Sequence, residues 1–328
     1  MARAWHLMSR PKGLPTLENF ELKEVELPPV ADGMVRVRNR WLSVDPYMRG
    51  RMNDVKSYVP PFALDAPMEG GAVGEVVESS VAGFAVGEQV LHMLGWRDEA
   101  VVPAAAVNKL PQLGVEPHAF LGNLGLTGGT AYFGLLDAAQ AREGDTVFVS
   151  AAAGAVGSAV VQIAKAKGMT VIGSARGAEK CEFVRSLGAD AVVDYTAGPL
   201  VKSLAEVAPK GIDVYFDNVG GDHLDAALAL ACKDARFAIC GMIDAYNATE
   251  PLCFRYMMRV IAMRIQLKGF IFTDYQPQMG AFYAEMGPWV AGGAVRSCET
   301  VLDGLEKMPD AFLGLFKGEN IGKMLVRL

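Results

Sequence analysis

The chain has 328 residues, enough for about two domains at roughly 150 residues each. It is 51% hydrophobic and 21% charged, with 36 glycines and a net charge of −6. This composition excludes a disordered or fibrous chain and argues against a nucleic-acid binder or a polybasic membrane-surface protein. The five cysteines, Cys181, Cys232, Cys240, Cys253 and Cys298, include no CxxC pair and no His/Cys cluster. Reduced thiols in a cytoplasmic protein are therefore expected, with no disulfide framework and no structural zinc. Arg3, Arg10 and Lys12 are followed by no apolar run, so the N-terminus does not read as a secretory signal. The uncharged stretch 147–164 contains Ser150, Gly154, Gly157, Ser158 and Gln162 and reads as a buried strand and helix, not a membrane span.

In chain order, the first third predicts short strands at 20–27, 34–42, 74–81 and 89–94. They are separated by Pro28-Pro29, Asp32-Gly33, Pro60-Pro61 and Ala82-Gly83, the pattern of an all-β barrel or sandwich. Near Leu121 the texture changes. A helix at 127–140 leads to strand 145–150, helix 157–168, strand 170–175, helix 178–187 and strand 191–194. Helix 198–208, strand 212–217, helix 222–232 and strand 236–241 continue the alternation. The strands are continuous apolar runs, as in a parallel sheet covered by helices on both faces, so a doubly wound α/β unit is predicted. The stretch 301–317 reads as a helix broken by Pro309. A last strand at 323–328 is expected to return to the β-rich part.

The run VFVSAAAGAVGS places Ala152-x-Gly154-x-x-Gly157 between a predicted strand and a predicted helix. That is the dinucleotide-binding context, with alanine at the first glycine position. Gly154 would let backbone approach a pyrophosphate, Gly157 would allow close helix–strand packing, and the helix N-terminus would offer N–H donors. The second strand of an NAD site ends in an acid that binds the ribose 2′-OH. Here it ends Gly173-Ser174-Ala175-Arg176, with Lys180 following, so NADP(H) is expected. No GxSxG, GxxxxGK[ST] or HExxH motif occurs, and His6, His92, His118 and His223 have no metal-ligand spacing.

Several motifs resemble the zinc-independent medium-chain dehydrogenases/reductases, in the group of prostaglandin, curcumin and alkenal double-bond reductases. They are LSVDPYMRGRM (42–52), LGLTGGTAYFGLLD (124–137), AAAGAVGS (151–158), YFDNVGG (215–221), ICGMIDAYN (239–247) and GENIGKMLV (318–326). The resemblance implies a GroES-like β-barrel domain at 1–124 with 294–328, a Rossmann domain at 125–293, and a homodimer. It implies NADPH-dependent reduction of an activated carbon–carbon double bond, with a small activated alkene as substrate. Carried onto this chain, Gly154, Ala155, Val156 and Gly157 would meet the pyrophosphate. Lys180 and Tyr195 would meet the adenosine phosphate, beside the Arg176 read from the end of the second strand. Asn218, Cys240, Gly241, Met242 and Tyr246 would lie along the cofactor, and Phe270, Ile271, Phe272 and Asn320 would flank the nicotinamide. Relatives often carry glycine where this chain has Arg176, which either strengthens the phosphate grip or points to solvent. The zinc-binding region of zinc-dependent relatives corresponds to Met68-Glu69-Gly70-Gly71, which lacks histidine, so no metal is expected.

Tyr246 is the first candidate to donate to a developing enolate oxygen, or as proton source. Its alternative is a loop tyrosine that only packs. Tyr47, in DPYMR, is the second, against a purely structural turn. Arg49 reads as structural. Met257, Met258 and Met263 line an adaptable pocket or form plain helix core. A quinone reductase of the same fold and a non-catalytic NADPH-binding protein remain the alternatives. Pairing of the strand 265–272 across a two-fold would make the dimer.

Overall fold

The computed structural model describes all 328 residues. Its chain divides into two units, Met1–Leu121 with Glu299–Leu328, and Gly122–Cys298.

The first unit begins with β1 (Ala2–Leu7), β2 (Phe20–Val25), β3 (Met34–Ser43), α1 (Tyr47–Arg51), β4 (Ala66–Pro67), β5 (Ala72–Ser79), β6 (Gln89–His92), β7 (Glu99–Pro103) and β8 (Asn108–Lys109). A small sheet has the order β2-β1-β4. Along β3 the side chains alternate as a pleated strand requires. Val35, Val37 and Asn39 are buried, while Arg36 and Arg38 reach across to Glu99 on β7, at 2.6 and 2.9 Å. The core centres on Trp96, which stacks on Phe20 at 5.8 Å and meets Phe312 edge-on. Asn39 of β3 and His92 of β6 form a buried polar pair. His92 Nδ1 accepts Leu94 N–H at 3.1 Å, so its proton is on Nε2, which donates to Asn39 Oδ1 at 2.9 Å.

The second unit contains α2 (Leu126–Phe133), β9 (Thr146–Val149), α3 (Ala155–Ala166), β10 (Thr170–Ala175), α4 (Gly177–Ser186), β11 (Ala191–Asp194), α5 (Leu200–Val207), β12 (Ile212–Asp217) and α6 (Gly221–Leu230). It continues with β13 (Ala231–Ile239), α7 (Ile243–Tyr246), α8 (Arg259–Met263), β14 (Gln266–Gly269) and α9 (Met279–Ala291). Its sheet runs β11-β10-β9-β12-β13-β14, every pair parallel. The chain winds outward from β9 in one direction, then returns to its other side at β12. The crevice outside the carboxyl ends of β9 and β12 is thus the topological switch point, where such sheets bind ligands. The aromatic rings of Phe148 and Tyr215 stack at 5.1 Å inside the sheet.

The chain then re-enters the first unit through β15 (Glu299–Asp303), α10 (Met308–Lys317) and β16 (Lys323–Arg327). β16 pairs antiparallel with β3, as expected of the last strand, and parallel with β15.

Four expectations need correction. The stretch 301–317 is no broken helix: Val301 and Leu302 pair in β15 with β16, Gly304 at φ +94° ends the strand, and Pro309 lies in the first turn of α10, where its missing N–H costs nothing. The helix of 127–140 stops at Phe133 and continues as a wider π turn over Gly134–Ala138. There Gly134 lies so close to Phe270 that a Cβ would stand 2.3 Å from the ring. The helix expected to Cys232 ends at Leu230, and the next strand begins at Ala231 rather than 236. The strand expected at 265–272 is only the four exposed residues of β14, at the sheet edge.

Candidate functional site

At the end of β9 the chain turns through Ser150, Ala151, Ala152 and Ala153 to Gly154, the N-cap of α3. Ala151 holds φ +47°, a conformation L-residues rarely adopt, marking this turn as constrained. A Cβ on Gly157 would lie 2.3 Å from Ala151 O, so only glycine lets the helix sit against the turn. The Ala152 that stands at the first glycine position has its room supplied from β10: a Cβ on Gly173 would lie 2.9 Å from that of Ala152. The first helical bond is Ser158 N–H to Gly154 O, 2.9 Å. The N–H groups of Ala155, Val156 and Gly157 therefore have no partner within the helix and face its positive dipole end, as a pyrophosphate requires.

β10 ends at Ala175. Arg176 follows as the N-cap of α4, exposed, and Lys180 stands one turn on, half-buried. Burial, and next the Arg176 guanidinium, hold the Lys180 ammonium below its usual range. Two cations whose fields overlap are what a doubly charged phosphate relieves. The acid that ends the neighbouring strand, Asp194 of β11, accepts Thr196 N–H and Oγ1 at 3.0 and 2.6 Å, and it also takes a backbone hydrogen bond from Gly177 at the start of α4. Tyr195 follows it, its phenol raised by burial, with the His223 ring edge-on at 4.9 Å. Burial pushes the His223 imidazole down to about 4, so it is neutral at pH 7. Ser174 Oγ and His223 Nε2 are buried without hydrogen-bond partners. These residues fit a dinucleotide that carries a 2′-phosphate.

Beyond β12 and β13 the loops interlock. Asn218 N–H donates to Ser150 Oγ, and Asn218 Nδ2 to Ser150 O, both at 2.8 Å. Gly220 and Gly221 take φ of +76° and +47°. Met242 packs over Gly220, where a Cβ would lie 2.9 Å from its own Cβ. Tyr246, the last residue of α7, turns its hydroxyl back to within 2.8 Å of where a Gly241 Cβ would be. Burial, then the Asp217 carboxylate, push the Cys240 thiol up to about 12, which makes it unreactive. Phe270 and Phe272 are held against α2 and its extension: the Phe272 ring fills the space beside Gly129, as Phe270 does beside Gly134. Ile271 is half-buried between them in sequence.

Tyr47 and Asn320 belong to the first unit. Asn320 Nδ2 donates to Gly322 O at 2.8 Å, within its own turn. Tyr47 opens α1 after Asp45-Pro46. Lys323 Nζ, buried, donates to Asp45 Oδ1 at 2.5 Å and to Val44 O at 2.9 Å, and Ser43 Oγ donates to the other carboxylate oxygen. The Tyr47 hydroxyl is buried with no hydrogen-bond partner, and burial, then Asp45, hold its phenol far above the usual range. It is therefore a protonated donor without an acceptor in the protein. Arg49 is structural, donating to Asn53 Oδ1 and Gly13 O at 2.8 Å each. Arg51 pairs with Glu69 at 2.7 Å and lies over the Phe62 ring. No group of three or more His, Cys, Asp or Glu side chains is arranged to hold a metal ion, and no helix is long and apolar enough to cross a membrane.

The carboxyl ends of one sheet thus bring together Gly154, Ala155, Val156, Gly157, Arg176, Lys180, Tyr195, Asn218, Cys240, Gly241, Met242 and Tyr246. Ser150, Gly173, Asp217 and His223 pack against these turns and were not legible in the sequence as candidates. Only the strand-end position of Ser150 and Asp217 could have pointed to them.

The family models for the N-terminal domain of oxidoreductase and for zinc-binding dehydrogenase match residues 3–110 and 155–286. The chain is 44% identical to the NADPH-dependent curcumin reductase of Escherichia coli, over 99% of this chain and 96% of that one. It is 40% identical to prostaglandin reductase 1 of Mus musculus, over 99% of each. The crystal structure of CurA from Vibrio vulnificus in complex with NADPH superposes with a TM-score of 0.94 at 45% identity, covering 99% of this chain and 98% of that one. The strand order, the glycine turn and these matches together place the chain in the medium-chain dehydrogenase/reductase family, to whose curcumin and prostaglandin reductase group it belongs.

Proposed function

We propose that the chain reduces the carbon–carbon double bond of α,β-unsaturated ketones and aldehydes. The chain is an NADPH-dependent reductase of the curcumin, prostaglandin and alkenal reductase group, and its cofactor is NADP(H). Gly154, Ala155, Val156 and Gly157 hold the pyrophosphate in this reading, and Arg176, Lys180 and Tyr195 the 2′-phosphate. When bound, NADPH supplies the hydride that the β-carbon receives.

The observation that carries the enone reading is the buried Tyr47 hydroxyl, a donor with no acceptor in the protein. Negative charge gathers on the carbonyl oxygen as the β-carbon is reduced. A fixed O–H that strengthens its bond to that oxygen lowers the barrier more than it stabilises the ground state. Tyr246 is the second donor, or the source of the α-proton. The reading is tested by following NADPH oxidation and products with a simple enone, an enal and a benzoquinone. Saturated ketone or aldehyde as product supports it. Turnover confined to the benzoquinone points instead to a quinone reductase, and cofactor binding without turnover on any acceptor to a non-catalytic binder.

A further inference from the structure

We propose that Asp217 is the positioning residue of the cofactor site: it fixes the loops that follow three adjacent strands into one array of backbone groups. The proposal rests on the NADP(H) reading above. Asp217 ends β12 and is fully buried. Its Oδ1 accepts Tyr215 Oη at 2.6 Å, Gly220 N–H at 2.8 Å, Val219 N–H at 2.9 Å and Ser150 Oγ at 3.3 Å. Its Oδ2, equally buried, accepts nothing. Its backbone oxygen accepts the N–H groups of Cys240 and Gly241, each at 3.0 Å. Ser150 extends the array by accepting Asn218 N–H and Nδ2. The loops after β9, β12 and β13 therefore converge on a single residue.

Packing does not explain this arrangement. A buried carboxylate with one oxygen unpaired is costly, and an apolar side chain would fill the space more cheaply. Asp217, whose carboxyl burial raises above its usual range against the pull of these hydrogen bonds, instead gives Val219 and Gly220 N–H one shared acceptor in a turn where Gly220 and Gly221 hold positive φ. Asp217 lies within the sheet end and acts through the loop backbone.

The test compares wild type with Asp217→Asn, which keeps the volume but accepts hydrogen bonds more weakly, and with Ser150→Ala. NADPH and NADH are titrated by fluorescence, KM and kcat are measured, and amide exchange is followed at Val219 and Gly220. For Asp217→Asn the dissociation constants of NADPH and NADH both rise about tenfold, with kcat at saturation kept within about twofold. Exchange at the two amides accelerates. Ser150→Ala weakens both cofactors about threefold, and it decides the matter should Asp217→Asn not fold. A merely structural role lowers the melting temperature and leaves both dissociation constants unchanged; that result overturns the proposal. A wild-type protein that binds no NADPH overturns the cofactor reading itself, whereas normal wild-type binding with unchanged variants overturns only the role of Asp217.

Discussion

Replacing Lys180 with alanine isolates the recognition of the 2′-phosphate. Lys180 is half-buried, and Arg176 stands close enough to depress its ammonium. A hydrogen bond between charged groups contributes about 1.5–3 kcal/mol. The alanine variant also loses the repulsion with Arg176 in the free protein, which offsets part of that loss. The lower part of the range, about 2 kcal/mol, corresponds to about a 30-fold rise in KM for NADPH. NADH has no 2′-phosphate, and its KM stays within about twofold. Arg176→Ala, at an exposed position, raises the NADPH KM only about three- to fivefold. Initial rates at saturating alkene, with each cofactor varied in turn, provide the comparison. An equal loss with NADPH and NADH would refute the assignment of Lys180 to the phosphate.

Tyr47→Phe lowers kcat about 100-fold with little change in the KM for NADPH, as for loss of one oxyanion donor. Its folding stability does not fall, because the deleted hydroxyl has no partner; kcat within a few-fold of wild type removes Tyr47 from the chemistry. Tyr246→Phe is read the same way, and unchanged turnover removes it as donor and proton source. Acid stability follows from His92 and His223, lowered by burial from 6.5 to about 3 and about 4. The unfolded chain binds protons at both below pH 6.5 while the folded chain does not, so the stability these two residues contribute is full above that pH and is lost as pH falls towards 4. With two protons, the loss is about 2.7 kcal/mol per pH unit near pH 5. Urea unfolding from pH 7 to 4.5 checks this, and a flat profile contradicts it. For association, the dimer that the family resemblance implies gives twice the chain mass in sedimentation, and a monomer at all concentrations contradicts it.

The strands β10, β11 and β12 stood in the sequence with their observed bounds, because a strand covered on both faces reads as an unbroken apolar run. The glycine turn was legible for a related reason: the alternation of strand and helix isolates it, and Gly157 tolerates no side chain. The β15 strand was not legible. Its pairing depends on β16, some twenty residues later, and its apolar spacing also suits a helix. Asp217 was hidden differently. Nothing local in YFDNVGG reveals that donors from Ser150 and the backbone after β12 gather on one oxygen, since hydrogen bonds between strand ends leave no periodicity. Asn320 was reachable only through the resemblance, since its one structural mark is the bond from Nδ2 to Gly322 O within its own turn.

The fate of the hydride separates reduction of the alkene from reduction of the carbonyl. The enzyme is given an enone and NADPH bearing deuterium at the nicotinamide C4, and the product is examined by mass spectrometry and NMR. Reduction of the alkene gives a saturated ketone with deuterium on the β-carbon and a solvent-derived proton on the α-carbon. An allylic alcohol with deuterium on the former carbonyl carbon would contradict it.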